Sequence, residues 1–144
     1  MSAETALARK LKLREGPAAV LNAPEGYLAA LAPGREFSRG LAGTFDWIQV
    51  FVANKAELAA VMPAVMEAVA PGGLLWLTFP KGSSKVQSDL TRDRGWESVP
   101  EDRLRWVRLV SVDAQWSAFA LRPYREGEER RPRLGGVGEA NRRS

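Results

Sequence analysis

Residues 45–53, Phe-Asp-Trp-Ile-Gln-Val-Phe-Val-Ala, constrain the fold more than any other stretch of this sequence. The run is aromatic, β-branched and apolar almost throughout, so it reads as a strand. It holds too many large side chains for a sheet with one wet face. A strand covered on both faces belongs in a mainly parallel sheet with helices above and below. A second such run, residues 74–79 (LLWLTF), follows a helical pattern with apolar residues at 58, 61, 62, 65, 66 and 69. Asn54 is placed to cap that helix, Pro63 to kink or split it, and Ala70-Pro71-Gly72-Gly73 to end it.

The remaining segments extend this pattern. Residues 3–13 space Leu7 and Leu11 as a short amphipathic helix stopped by Gly16-Pro17, and residues 18–22 read as a short buried strand. Pro24 then stands where a first helical position falls, so residues 24–31 predict a short helix. Residues 35–40 suggest a brief strand around Phe37, and a short helix is expected near residues 89–99. Residues 104–112 and 116–122 alternate in polarity around a hairpin-sized Asp113-Ala114-Gln115, which predicts an antiparallel pair at one edge of the sheet. The expected architecture is an α/β, three-layer Rossmann-like sandwich whose sheet is mainly parallel with an antiparallel C-terminal edge. Residues 1–122 form its single domain. Residues 123–144, rich in Arg, Glu, Gly and Pro, read as a basic, mobile tail.

Residue types missing from the chain narrow its chemistry. With neither histidine nor cysteine, it holds no Ser-His-Asp triad, thiolate metal site, imidazole base or thiol nucleophile. Catalysis is left to carboxylates, Lys, Tyr, Ser/Thr, backbone amides or a cofactor. The chain has 21 basic and 17 acidic residues, a formal net charge of +4. Residues 16–122 are neutral, and the excess is shared equally by residues 1–15 and 123–144. A neutral body with basic ends does not make the dense basic face of a DNA-binding domain, although the ends can add salt-sensitive contacts to nucleic acid. No apolar run approaches the ~20 residues that cross a bilayer, and residues 1–14 lack the apolar core of a signal peptide. A cytoplasmic protein with no membrane partner is the expectation.

Three places can carry function. Ligands of open α/β sheets bind at the carboxyl ends of parallel strands, near the point where strand order reverses. The first candidate is therefore the turn Asn22-Ala23-Pro24-Glu25-Gly26-Tyr27. Dinucleotide-binding folds place G-x-G-x-x-G in this position. Here only Gly26 is present and Pro24 removes an amide, leaving Asn22 and Glu25 to bond a polar group. The plain alternative is that Pro24 starts a helix and Glu25 complements its dipole. The second candidate is Pro80-Lys81-Gly82-Ser83-Ser84-Lys85, continuing to Asp89, Thr91 and Arg92. Directly after a buried strand, Lys81, Ser83, Ser84 and Lys85 offer ammonium, hydroxyl and backbone donors to an anion. The alternative is an exposed loop. The third is Asp113 with Trp116 and Ser117, where Asp113 is expected to bond neighbouring amides and Trp116 to pack. All five tryptophans fall in or beside expected elements, which fits packing rather than base stacking.

With these segments in view, the chain resembles a little-characterised bacterial family of small Rossmann-like proteins. In architecture that family is a trimmed relative of the S-adenosylmethionine-dependent methyltransferases. The resemblance spans about residues 5–122. It rests on Asn22-Ala23-Pro24-Glu25-Gly26-Tyr27, on Phe45-Asp46-Trp47-Ile48-Gln49-Val50-Phe51, and on Pro71-Gly72-Gly73-Leu74-Leu75-Trp76. It continues through Pro80-Lys81-Gly82-Ser83-Ser84-Lys85, Asp89-Leu90-Thr91 and Trp116-Ser117-Ala118. The likeness implies a methyltransferase-like fold and S-adenosylmethionine as the ancestral cofactor. The glycine-rich turn is replaced, however, and Ser38-Arg39-Gly40 stand where a ribose-binding acid is expected. One strand–helix unit is also missing.

The residues therefore lead to a non-catalytic protein binding a small anionic ligand, or a partner protein, at the strand-end edge. Asn22, Glu25, Gly26, Lys81, Ser83, Ser84 and Lys85 carry the site, with no metal. Two rival readings are a methyltransferase with an atypical cofactor turn and a nucleic-acid accessory protein acting through its basic termini.

Overall fold

The computed structural model of the chain describes residues 4–82 and 88–131. In order these form α1 (Ala6–Lys10), β1 (Ala18–Leu21), α2 (Tyr27–Leu31), β2 (Phe45–Phe51), α3 (Lys55–Ala68), β3 (Val69–Pro80), β4 (Leu104–Ser111) and β5 (Trp116–Pro123). The five strands make one sheet in the order β1-β2-β3-β5-β4. β1, β2 and β3 are parallel, and β5 is antiparallel to both β3 and β4. β4 therefore points the same way as the first three strands, and only β5 runs against them. The expected hairpin is present with a difference in placement. The last strand lies inside the sheet and the earlier strand, β4, takes the edge.

Alternation along each strand sorts the core into two halves. On one face Ile48, Val50, Leu75, Leu77, Phe79 and Phe119 pack against Leu58, Met62 and Val65 of α3 and against Leu90, Trp96 and Val99. On the other face Trp47, Phe51, Trp76, Ala118 and Ala120 pack against Ala8 and Leu11 and against Tyr27 and Leu31 of α2. The result is the Rossmann-like α/β sandwich that two-sided burial of residues 45–53 demands.

Beyond β1, Ser38 forms a one-residue parallel bridge with Ala19, donating its amide to Ala18 O and accepting from Val20 N. The chain thus leaves β1 on the α2 face, touches the sheet on the far side of β1, and returns past β1 to β2. Strand order reverses between β1 and β2, where an open α/β sheet places its crevice. The brief strand expected around Phe37 is reduced to this bridge.

Four local expectations are corrected. Pro24 does not open a helix: its carbonyl accepts from Tyr27 N in a turn, and α2 starts at Tyr27 with Gly26 as its cap. α3 runs through Pro63 as one helix, its N-terminus capped by the Asn54 side chain accepting from Glu57 N at 2.8 Å. Pro63 and Ala59, the residue whose carbonyl loses its helical donor, both face solvent, so water can replace the missing amide. α3 ends at Ala68, before the expected stop at residues 70–73, and those residues belong to β3, bulging out of the ladder between Phe45↔Val69 and Trp47↔Leu74. Residues 89–99 form turns and bends rather than a helix. Gly95 sits at φ +96°, and a Cβ there would meet Asp89 O at 2.8 Å. That backbone breaks any helix and buries Leu90 and Trp96 by tertiary packing alone.

Candidate functional site

All the sequence-derived candidates that fall within the described residues lie at one end of the sheet. The carboxyl ends of β1, β2, β3 and β4 and the start of β5 bring Asn22, Ala53, Lys81, Ser111 and Trp116 to a common edge. The corner beyond β3 is the better defined part. Pro80 pairs with Trp116, and Lys81 N continues the ladder by donating to Gln115 O at 2.8 Å. This fixes the Lys81 backbone against the β4–β5 hairpin. Its Nζ donates to Ser111 Oγ at 2.6 Å, and Nζ of Lys10, from the end of α1, donates to Ser111 O at 2.9 Å. Two ammonium groups from distant parts of the sequence thus converge on one serine. Asp113 closes the hairpin, its Oδ1 accepting from Gln115 N and Trp116 N at 2.8 and 2.9 Å, as expected of a turn residue.

Lys10 was not singled out in the sequence, and no local signal distinguishes it from Arg9 or Lys12. Its position comes from tertiary structure. The carbonyl of Leu11, left without a helical donor at the end of α1, accepts both indole N–H groups of Trp47 (2.9 Å) and Trp76 (2.8 Å). α1 is thereby pinned over β2 and β3, and the residue before Leu11 reaches the β4 terminus.

The turn after β1 is arranged differently. Asn22 adopts φ 61°, and its Nδ2 donates weakly to Phe51 O at 3.4 Å, bridging the ends of β1 and β2. Gly26, at φ +84°, caps α2 in a left-handed conformation and Glu25 is exposed beside it. Behind the turn, Tyr27 OH donates to Gln49 Oε1 at 2.7 Å and Gln49 Nε2 donates to Thr78 Oγ1 at 3.0 Å. Gln49 and Thr78 are fully buried. Burial pushes the Tyr27 phenol well above its ordinary range, and Asp113 adds to that. Tyr27 and Trp116 each meet Phe51 edge-to-face, at 4.7 and 5.1 Å between ring centres. Aromatic side chains therefore fill the α1/α2 side of the edge between β1 and β5.

β1 and β3 are separated by β2, about 10 Å at ordinary strand spacing. Asn22, Glu25 and Gly26 thus share an edge with Lys81 but not a single contact point. Ser83, Ser84 and Lys85 lie outside the described residues. Among the described residues no cluster of His, Cys, Asp and Glu can hold a metal ion, and no helix is long and apolar enough to cross a membrane.

An adenosyl cofactor, which the family resemblance implies, does not fit the residues at the end of β1. Such a cofactor needs bare backbone amides and a carboxylate for its ribose. Asn22 bridges to β2 instead, Pro24 has no amide, and α2 has only five residues behind its Gly26 cap. At the ribose position Ser38 Oγ is turned back onto the Gly40 carbonyl at 2.7 Å.

Fold and edge together define a small Rossmann-like α/β protein with a cationic strand-end corner. No family model matches the sequence, and no curated protein does. Among solved structures the chain is similar to TehB from Haemophilus influenzae, with 8% sequence identity and a TM-score of 0.46. The match covers 82% of this chain and 61% of that one, so this chain spans less than two thirds of its length.

Proposed function

We propose that this protein binds a small oxyanion, such as a phosphate or a carboxylate, at the carboxyl end of the sheet without catalysing a reaction on it. The observation that carries the reading is the convergence of Lys81 and Lys10 on Ser111. An oxyanion at this point offers acceptors to both ammonium groups and to a hydroxyl donor. Asn22 and Glu25, across β2, orient the rest of a ligand larger than a bare ion. The sequence extends the proposal to Ser83, Ser84 and Lys85.

The non-catalytic part of the reading rests on the groups available at this edge. The chain has no histidine or cysteine. Asp113 Oδ1 is bonded to two backbone amides, and the Tyr27 phenol is locked on Gln49 with its proton held more tightly than usual. None of these is a poised base.

Thermal unfolding in phosphate, sulfate and citrate tests the proposal. At equal ionic strength, one or more of these anions should raise the Tm of the wild type, and the double variant Lys10→Ala/Lys81→Ala should lose that rise. A wild-type Tm indifferent to all three anions contradicts the reading. Titration calorimetry with S-adenosylmethionine should give no heat of binding, and micromolar affinity would restore the methyltransferase alternative.

A further inference from the structure

At the opposite end of the sheet, two open clefts of about 370 and 590 Å³ adjoin, sharing Met66 and Arg103 in their walls. The first runs along α3 past Met62 and Pro63 to Ser98, and the second passes Val69 and Pro71 to Tyr124, Arg125 and Arg130. From this geometry we infer a docking groove for an extended acidic peptide segment of a partner protein, anchored by an apolar side chain on Met66.

Three features select that occupant. The rim is cationic on balance, with Arg103, Arg125 and Arg130 against Glu126 around the second cleft and Glu67 in the first. Arg103 and Arg125 are exposed. Arg130 is held in place, its Nε donating to Asp102 O at 2.7 Å, its Nη1 donating to Glu128 O at 2.8 Å, and its guanidinium lying 4.4 Å from the Tyr124 ring centre. A fixed guanidinium loses little freedom on pairing with a carboxylate, which favours acidic side chains at this rim.

The floor supplies the second feature. Methionine side chains reshape around different apolar partners, and half-buried Met66 walls both clefts with the core residue Met62 behind it. The third feature is unspent hydrogen-bonding capacity in the first cleft. Ser98 Oγ is buried without a hydrogen-bond partner. A peptide backbone, alternating N–H and C=O along an extended strand, offers a partner to this hydroxyl.

Other occupants match less well. The sequence beyond residue 131 carries Arg133, Arg142 and Arg143 against Glu139, so its charge is the wrong sign for this rim. Single-stranded nucleic acid needs open aromatic faces. The groove's one aromatic residue, Tyr124, already has Arg130 over its ring.

The test uses fluorescence anisotropy with the full chain and a labelled decapeptide of alternating glutamate and leucine. Its controls are the lysine-for-glutamate twin and an oligouridylate. The acidic peptide should bind, and rising salt should weaken it. Arg103→Glu/Arg125→Glu should weaken it about tenfold or more. Lys10→Ala/Lys81→Ala should leave it unchanged, which separates this groove from the anion corner. Both arginines are exposed, so the Tm of the groove variant should match wild type and confirm that it folds. Equal binding of the two peptides, full binding by the arginine variant, or no peptide binding overturns the proposal. Oligouridylate binding that depends on the same arginines, in the absence of peptide binding, overturns it in favour of nucleic acid.

Discussion

Against α3 the sheet presents Phe79, Trp106 and Phe119, which meet Trp96 ring against ring at 5.1–5.6 Å. Against α1 and α2 it presents Trp47, Gln49, Trp76 and Thr78, each of which makes a hydrogen bond across the layer or to its neighbour. The two faces bury similar kinds of surface and do different work. Apolar contact is non-directional, so the ring cluster of the α3 face gains stability without fixing geometry. The covering elements there are tied outside the cluster, by Lys55 N to Asp89 Oδ1 and Ser88 Oγ to Ala53 O. Hydrogen bonds are directional, and the other face fixes α1 by the Leu11 carbonyl and α2 by the Tyr27 hydroxyl. Those are the two helices that deliver Lys10 and the Asn22–Gly26 turn to the carboxyl edge. The polar bonds inside this core therefore belong to the positioning of the site.

The comparison can be broken by substitution, and the largest effect belongs to the apolar face. Trp96→Ala should cost about 3–5 kcal/mol in urea unfolding, because it empties the centre of the aromatic cluster. Anion binding measured well below the lowered Tm should be unchanged. A loss below about 1 kcal/mol would show that residues 88–103 are not part of the core.

Gln49→Leu comes next, at about 1–3 kcal/mol, because it strands the Tyr27 hydroxyl in a buried site. Adding Tyr27→Phe should recover part of the loss, since it removes the stranded group. Strict additivity of the two variants would mean that the pair does not act as a unit.

Trp47→Phe and Trp76→Phe each remove one of two donors to the same carbonyl and should cost about 1 kcal/mol apiece. Together they release the end of α1. The double variant should therefore lose anion affinity that Trp96→Ala keeps, even at matched stability, and retained affinity would detach Lys10 positioning from the indole bonds.

The smallest effect is electrostatic and lies outside both faces. Glu128 is bonded to Arg122, the Arg125 amide and Arg105, which together hold its carboxyl down at about 2. A carboxyl depressed on folding adds stability above its ordinary value of 4.5 and loses it as pH falls toward 2. Tryptic cleavage within residues 125–131 cannot be read at such pH, so amide exchange of that segment is the measurement. Protection should fall over this interval in the wild type and stay low and flat in Glu128→Gln.

How much of this was legible in the sequence follows from where each signal resides. Two-sided burial of residues 45–53, the Asn54 cap and the Asp113 turn are local patterns, and each reads directly from residue type and spacing. The strand order of the C-terminal hairpin is not local, because alternation in residues 104–112 and 116–122 says nothing about which strand lies beside β3. The segment 89–99 was expected to hold a short helix, but Gly95 at φ +96° turns the chain back on itself, and Leu90, Trp96 and Val99 are buried by contacts with distant residues that no local pattern encodes. At the candidate edge, the place of Lys81 at a strand end was legible from its position after a buried strand. Lys10 was not, because it depends on two indoles 36 and 65 residues further along the chain meeting one carbonyl. The start of the basic C-terminal segment was likewise opaque. Its arginines read as solvated charge, whereas Glu128 ties residues 125–128 to β4 and β5 and Arg130 reaches back to Asp102.

The most direct test of an oxyanion corner at the carboxyl edge is a phosphate titration followed through backbone amide chemical shifts. The account predicts saturable movement of the amides of Lys81, Ser111 and Lys10 while those of Arg103 and Arg125 stay still. Unsaturable drift everywhere, or movement confined to the arginines at the other end of the sheet, would contradict it.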